Sequence, residues 1–175
     1  MFTHFLEIEL NTFSSALAEL GIESSKMIIK DASGLSKENR VTANLVAQLL
    51  VKIRTDERFV PLINGFPVSG ISGTLRNRFT ETAPDAVGLV KAKTGTLSNT
   101  TNLAGYVESG DREYAFVIIS DRHAKTYSVA NRIRDLVDRI LGKIAAPFLP
   151  RVQPEPVPAS ELEPELEIVS SETPL

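Results

Sequence analysis

Lys93, Thr94 and Gly95 stand in succession, and their side chains suit the docking of an anionic, peptide-like ligand. The lysine ammonium is a charge-assisted hydrogen-bond donor, and the threonine contributes a hydroxyl. The glycine has no side chain, so a second backbone can approach it closely. The tripeptide therefore predicts a ligand-binding strand edge, although three residues alone will occur by chance in many proteins.

The segment ahead of the tripeptide has the pattern of a strand with one covered face. Residues 89–92 are an apolar run interrupted by one lysine, and they lead directly into Lys93. Two further strands are predicted at 103–108 and 112–120, joined by a Ser-Gly-Asp turn at 109–111. Residues 114–119 are apolar on both faces, which predicts that the last strand lies between two layers. The short connections predict an antiparallel sheet.

Three helices are predicted from apolar residues at helical spacing. The first covers 3–20, ends at Gly21, and carries one apolar face: Leu6, Leu10, Phe13, Leu17 and Leu20. Thr42 is the predicted N-cap of the second, whose stripe is Leu45, Val46, Leu49, Leu50 and Ile53. A short strand is predicted at 27–29, and 61–80 is predicted to be irregular because it contains two prolines and three glycines.

The third helix has the most regular pattern, and it is predicted to pack across the sheet. Its apolar stripe is Val129, Ile133, Leu136, Val137, Ile140, Leu141 and Ile144. Its predicted water-facing residues are Arg132, Arg134, Asp135, Asp138 and Arg139. Together the patterns predict an α+β fold of the α/β sandwich type. An antiparallel sheet of at least three strands would be covered by N- and C-terminal helices.

Composition limits the class of protein. The net charge of −3 divides into +2 over residues 1–150 and −5 over residues 151–175, so the body has no basic stripe for nucleic acid. There is no cysteine, and His4 and His123 lack the spacing of a metal site, so no cofactor or metal is expected. No membrane span and no export signal is recognisable, which predicts a cytoplasmic location for the chain as written. The domain is predicted to cover 1–149, and the Pro/Glu-rich residues 150–175 are predicted to be disordered.

Four segments resemble the low-molecular-mass penicillin-binding proteins of the D-alanyl-D-alanine carboxypeptidase/endopeptidase family. They are residues 31–42, 67–79, 91–97 and 103–107, which read DASGLSKENRVT, PVSGISGTLRNRF, KAKTGTL and LAGYV. The match spans roughly residues 12–145, the C-terminal part of that family's catalytic domain. Departures are modest: Ala32 replaces a usual glycine, and residues 99–102 are more polar than expected.

The resemblance implies part of a penicillin-binding/β-lactamase-like transpeptidase fold and a serine hydrolase of the cell envelope. Such an enzyme attacks the terminal D-Ala-D-Ala bond, or a peptide cross-link, of peptidoglycan through an acyl-enzyme. Its implied ligands are a peptidoglycan stem peptide or a β-lactam. Carried onto this chain, the substrate-binding residues are Lys93, Thr94, Gly95 and Thr96.

The other two motifs of that family are missing from this sequence. No serine stands three residues before any lysine, and no serine stands two residues before any asparagine. Thr42-Ala-Asn44 comes nearest, but capping explains it better. In the family both motifs lie upstream of the matched region, so no catalytic residue is assigned in this chain.

Several other polar residues are interpreted structurally. Ser33, Ser36 and Asn39 are expected to bond their own loop, and Ser72 to be a turn residue. Arg76 and Arg78 could meet an anionic ligand, but surface arginines usually do not.

Three hypotheses remain open. In the first, the chain is the C-terminal part of a carboxypeptidase-type protein and is completed by an N-terminal polypeptide. In the second, it is a non-catalytic binding module for D-Ala-D-Ala peptides. In the third, it is the product of a truncated reading frame, has no function of its own, and self-associates through exposed apolar surface. The sequence does not separate carboxypeptidase from endopeptidase action.

Overall fold

The computed structural model describes residues 12–145. Residues 12–19 are helical (α1), and three further helices follow: α2 at Ala43–Arg54, α3 at Val60–Asn64 and α4 at Tyr127–Ala145. The strands are β1 at Val90–Leu97, β2 at Thr100–Ser109 and β3 at Arg112–Ser120. The predicted α+β fold with an antiparallel sheet is confirmed.

The sheet has the strand order β1-β2-β3, with both pairs antiparallel. Val90 pairs with Val107 at one end of β1, and Leu97 pairs with Thr100 at the other. The predicted strand that leads into Lys93 and the predicted edge at Lys93–Gly95 belong to one strand, and β1 continues to Leu97. Backbone pairing with β2 supplies the hydrogen bonds there, so an apolar pattern is not required.

The two faces of the sheet are buried against different helices, as predicted for a strand that lies between two layers. On one face, Val90, Ala92, Leu103 and Val107 share a core with α4, together with Phe116 and Ile118 of β3. On the other face, Tyr106 packs with Leu50 and Ile53 of α2, together with Ala115 and Val117 of β3. The alternation follows from the two-residue period of a strand.

Gly105 is required by the close approach of β1 and β2. A Cβ at this position would lie 2.1 Å from the carbonyl oxygen of Lys91 and 2.6 Å from the Cα of Ala92. Both are backbone atoms, which cannot move aside without breaking the strand pair. The glycine therefore lets the strand that carries Lys93 pair tightly with the centre of the sheet.

The α4 stripe is partly buried and partly exposed. Val137 and Leu141 are in the core, whereas Leu136, Ile140 and Ile144 are exposed in the described structure. The prediction that Asp138 faces water is wrong: this residue is only 2% exposed. Its carboxylate meets Arg78, a partner sixty residues away that the helical pattern does not reveal.

Two local predictions are corrected and one is confirmed. Residues 27–29 form a single bridge, Ile28 to Arg40, and not a strand. Residues 60–64 form the short helix α3, although the prolines and glycines of 61–80 predicted an irregular segment. A helix can form here because Pro61 lies in its first turn, where a backbone N–H has no partner within the helix. Thr42 does cap α2, accepting a hydrogen bond of 3.2 Å from the Leu45 amide. Leu6, Leu10, His4 and the tail at 150–175 lie outside the described residues.

Candidate functional site

The free edge of β1 is covered along its first half and open along its second. The Ser69 amide donates to the Val90 carbonyl, and the Ala92 amide donates to the Pro67 carbonyl, both at 2.9 Å. The Val90 and Ala92 backbone groups therefore point away from β2. The same alternation directs the backbone N–H and C=O groups of Thr94 and Thr96 outward, beyond the point where the covering segment ends.

Lys93 lies at the start of the open half, with an exposed side chain. Its ammonium donates to the Thr94 carbonyl at 2.7 Å, an acceptor on that open edge. Lys91, two residues earlier on the same face, is instead paired with Glu108 at 3.0 Å. Among residues 12–145 the Lys93 ammonium has no carboxylate partner, so its charge is available to a ligand.

The Thr94 side chain is held by the segment that precedes β1. Its hydroxyl donates to the Thr74 hydroxyl at 3.0 Å. The segment that carries Thr74 is anchored on α4, because Asp138 accepts hydrogen bonds from Arg78, from the Phe79 amide and from the Thr82 hydroxyl. The buried carboxylate thus ties together α4, the 74–82 segment and the edge of β1.

A polar cavity of about 320 Å³ opens beside this threonine pair. It is lined by Thr74, Arg78, Thr94, Thr96, Thr101, Asn102 and Arg134. All seven lining residues carry a hydroxyl, an amide or a guanidinium group, and none of them is acidic. The cavity is chemically suited to an anion.

A second and larger cavity, of about 630 Å³, lies at the same end of the sheet. Apolar residues of α1 and α2 line much of it, including Leu17, Leu45 and Leu49. The Asn102 Oδ1 atom is buried and accepts no hydrogen bond within residues 12–145. Side chains of 27–41 line another wall of this cavity, among them Asp31 and Asn39.

The loop at 31–39 is held together by its own side chains. Asp31 accepts hydrogen bonds from the Ser33 hydroxyl, the amides of Gly34 and Ser36, and the Asn39 side-chain amide. These bonds, that from Asn39 first, lower the pKa of Asp31 below its ordinary 3.8. The polar residues of this loop are therefore engaged locally, as expected for a structural turn.

The remaining candidates from the sequence take structural roles. The Ser72 hydroxyl accepts from the Val68 amide at 3.1 Å, and His123 contacts the Thr101 hydroxyl at 3.1 Å. Arg78 is the exception, since its side chain is largely covered and forms an ion pair with the buried Asp138. Sequence reasoning did not single out Thr74, and it predicted only that Arg134 faces water, whereas Arg134 is half-buried and lines the cavity.

No serine–lysine hydrogen bond occurs among residues 12–145. The same part of the chain contains no cluster of acidic or histidine side chains that could hold a metal ion. None of its helices is long and apolar enough to cross a membrane. What the described residues do assemble is an edge with a free cation, outward backbone groups and a polar cavity.

Comparison with known proteins identifies the family of this chain. The sequence profile of the D-Ala-D-Ala carboxypeptidase 3 (S13) family matches residues 5–144. The chain belongs to this family. It is 36% identical over 157 residues to a D-alanyl-D-alanine carboxypeptidase of Actinomadura sp., covering 85% of this chain and 28% of that protein.

Solved structures agree with the family assignment. Penicillin-binding protein 4 from Haemophilus influenzae superposes with a TM-score of 0.68 at 27% identity, over 78% of this chain and 32% of that one. A complex of the same protein with a β-lactam superposes with a TM-score of 0.64 at 30% identity, over 73% of this chain and 30% of that one. This member of the carboxypeptidase family thus spans about a third or less of the length of these relatives. It matches their C-terminal part.

Proposed function

We propose that the β1 edge from Lys93 to Thr96 is the substrate-binding wall of a serine-type D-Ala-D-Ala carboxypeptidase site. Its ligand would be the C-terminal end of a peptidoglycan stem peptide, or a β-lactam that takes the same place. The observation that carries the proposal is the division of the edge. Residues 67–69 cover β1 only as far as Ala92, and the open backbone begins at the Lys-Thr-Gly sequence.

An extended peptide can bind such an edge as an additional strand. The outward N–H and C=O groups of Thr94 and Thr96 would pair with the ligand backbone. The Lys93 ammonium would leave the Thr94 carbonyl and donate to an anionic or carbonyl oxygen of the ligand. Gly95 leaves the surface beside them free of a side chain.

The chemistry proposed for the whole site is acyl transfer. A serine oxygen forms an ester with the penultimate D-Ala carbonyl while the terminal D-Ala leaves as its amine, and water then hydrolyses the ester. The serine and its lysine base would come from another part of such an enzyme or from a second polypeptide. This chain would contribute the wall that binds and orients the ligand.

A binding titration tests the wall directly. An N-acetylated peptide ending in D-Ala-D-Ala should saturate the chain, as followed by the backbone amide NMR signals of residues 93–97. Loss of a charge-assisted hydrogen bond in Lys93→Ala should weaken binding about tenfold or more. The matched control is Lys91→Ala, which removes a lysine already paired with Glu108 and should leave the affinity unchanged. Absence of saturation at millimolar peptide would contradict the proposal.

Gly95→Ala separates binding from folding. A Cβ at this position would make only an ordinary contact of 3.5 Å with the Cβ of Asn102, so the fold should accept it. The methyl group would nevertheless stand on the surface that the ligand approaches. We expect an unchanged melting temperature and weaker peptide binding; unchanged binding would place the ligand elsewhere.

A fluorescent penicillin distinguishes a binding wall from a complete enzyme. The purified chain should bind the reagent reversibly but should not become covalently labelled, because no serine nucleophile with its lysine base is assigned here. Covalent labelling that survives denaturation would refute that part of the proposal. Reversible binding without labelling also fits the second candidate, a non-catalytic module for D-Ala-D-Ala peptides, which is favoured by the absence of a serine–lysine hydrogen bond in 12–145.

A further inference from the structure

We propose that His123 is a positioning residue for the ligand-binding edge, because it sets the direction in which the Thr101 hydroxyl forms its hydrogen bonds. When His123 is protonated, this hydroxyl becomes a donor towards the polar cavity beside Thr96, and a ligand with a carboxylate or carbonyl oxygen binds there more tightly. The inference rests on the proposed function of the β1 edge. It adds a residue to that site and a dependence of ligand binding on pH.

Thr101 connects His123 to the edge. It pairs with Thr96 across β1 and β2, and both residues line the polar cavity. Thr101 is only 5% exposed, and among residues 12–145 the hydrogen-bond contact of its hydroxyl is with the Nε2 atom of His123, at 3.1 Å. A change of proton at this ring nitrogen therefore reaches a hydroxyl of the cavity wall.

The backbone determines which ring nitrogen of His123 carries the proton. Nδ1 lies 2.9 Å from the Ala124 carbonyl oxygen. A carbonyl oxygen can only accept, so this contact assigns a proton to Nδ1 whether the ring is neutral or charged. In the neutral ring Nε2 then holds a lone pair and no proton. The Thr101 hydroxyl must therefore donate to a neutral His123.

Protonation of the ring reverses that hydrogen bond. Both nitrogens of an imidazolium are donors, so Nε2 would donate to the Thr101 oxygen. The hydroxyl proton is then released from His123 and is free to be donated into the cavity. A neutral ring leaves the cavity facing an oxygen that can only accept, which repels a ligand oxygen. A charged ring leaves it facing a donor, which binds one.

The segments around His123 leave its added charge unpaired. Its own segment contributes Asp121, Arg122 and Lys125, and Asp121 is paired with Arg122 at 3.6 Å. The β1–β2 turn, where the Asn99 carbonyl accepts from the His123 amide at 3.2 Å, has no charged residue. Among residues 12–145 no carboxylate lies within ion-pair distance of the ring.

The charges of the cavity itself do not change in the same pH range. The cavity is lined by threonines, one asparagine and the two arginines Arg78 and Arg134, and a guanidinium stays charged. Arg78 is neutralised by the buried Asp138, whereas Arg134 has no ion pair among residues 12–145. Histidine is the side chain that changes charge between about pH 5 and about pH 8. A pH profile in this range therefore reports on His123.

The test is a titration with an N-acetylated D-Ala-D-Ala peptide at about pH 5 and about pH 8, between which histidine changes charge. The peptide carboxylate, with a pKa of about 3.5, remains ionised at both. The wild type should bind about two- to tenfold more tightly at the lower pH, the worth of one hydrogen bond. His123→Gln should bind equally at both pH values. His4→Gln, which changes the other histidine of the chain, is the control and should keep the wild-type difference.

Two variants of Thr101 separate the hydroxyl from the charge of the ring. Thr101→Val keeps the imidazole but lacks the hydroxyl, so it should lose most of the gain at low pH. Thr101→Ser keeps the hydroxyl and should keep the gain. Imidazole ¹⁵N NMR adds a measurement that needs no ligand: at about pH 8 the neutral His123 ring should carry its proton on Nδ1. A proton on Nε2 would overturn the inference.

The outcomes distinguish this inference from the proposed function. Equal wild-type affinities at both pH values would overturn the role of His123 and leave the β1 edge as the binding site. A pH effect that persists in His123→Gln, or in full in Thr101→Val, would overturn it too. If the peptide binds at neither pH, the proposed function fails, and formate becomes the probe. A formate-induced shift of the Thr101 amide signal that saturates earlier at low pH, but not in His123→Gln, would support the role of His123; a pH-independent or absent shift would refute it.

Discussion

Arg78 and Asp138 form an ion pair across sixty residues of sequence, with only 14% and 3% of their side-chain surfaces exposed. The carboxylate also accepts from the Phe79 amide and the Thr82 hydroxyl. Such a buried pair is more important for holding two segments in register than for net stability, because desolvation offsets much of the attraction. Here the segments held in register are α4 and the 74–82 segment, which reaches the β1 edge through Thr74.

Asp138→Ala should strongly destabilise the fold, because it leaves the Arg78 charge buried without a partner. We expect the free energy of unfolding to fall by about 3–5 kcal/mol, measured by urea titration. Arg54→Ala is the control, since it removes an ion pair with Glu113 in which the Arg54 side chain is 49% exposed. That change should cost about 1 kcal/mol or less, and an equal loss in both variants would contradict the importance of burial.

Gly105→Ala should disturb the pairing of β1 with β2. The added methyl group would overlap the Lys91 carbonyl and the Ala92 Cα, so the strands must separate. We expect a loss of about 1–3 kcal/mol or more in the free energy of unfolding. The control is Gly65→Ala, whose Cβ would lie no closer than 3.4 Å to its neighbours. Similar melting temperatures for both variants would disprove the required close approach.

Tyr106 should give the fold a decline in stability at alkaline pH. This residue is 2% exposed and donates to the Leu50 carbonyl at 2.7 Å, and its burial raises its pKa from 10.0 to about 12. Because the folded state holds the proton more tightly, the stabilisation is complete below pH 10 and is lost as pH rises towards about 12.

The Tyr106→Phe variant checks this decline. Without the phenol the variant should lack this component, which urea titrations at several pH values would measure. At neutral pH the lost hydrogen bond should cost about 0.5–1.5 kcal/mol. Tyr114→Phe, at an exposed position, should keep the wild-type decline. If the stability of Tyr106→Phe declined at alkaline pH as much as that of the wild type, this residue would be ruled out as the cause.

Acid should loosen the loop at 31–39. The hydrogen bonds to Asp31, from Asn39 foremost, lower its pKa below 3.8, so the ionised carboxylate stabilises the loop above that value. The stabilisation is lost as pH falls through the lowered pKa. The Gly34 and Ser36 amide signals should shift in this range, and Asp31→Ala should show the acid-state shifts at neutral pH. Asp111→Ala, in the exposed β2–β3 turn, is the control.

Local sequence patterns predicted the elements well because neighbouring residues decide them. Thr42 caps α2 through an amide three residues away, and the turn at Gly110 joins two strands whose pairing follows at once. The Lys-Thr-Gly sequence identified the strand edge for a similar reason. Its three residues are contiguous, so their types and spacing can be read without knowing what packs against them.

Contacts between distant residues were beyond the reach of those patterns. The polar character of Asp138 predicted a water-facing side chain, since nothing in its own helix reveals that Arg78 would neutralise it. The same limit hid Arg134, which faces β1 only because α4 crosses that face of the sheet.

The sequence by itself determined the helices α2 and α4, the antiparallel sheet and the family resemblance, because periodicity, capping and contiguous motifs are local properties. Only the tertiary structure decided that residues 67–69 cover β1 as far as Ala92 and leave Thr94 and Thr96 open. It also decided which of two arginines keeps an unpaired charge beside that edge. Both outcomes depend on which remote segment packs against a given backbone group or charge. Tertiary packing decides this, and no local sequence pattern encodes it.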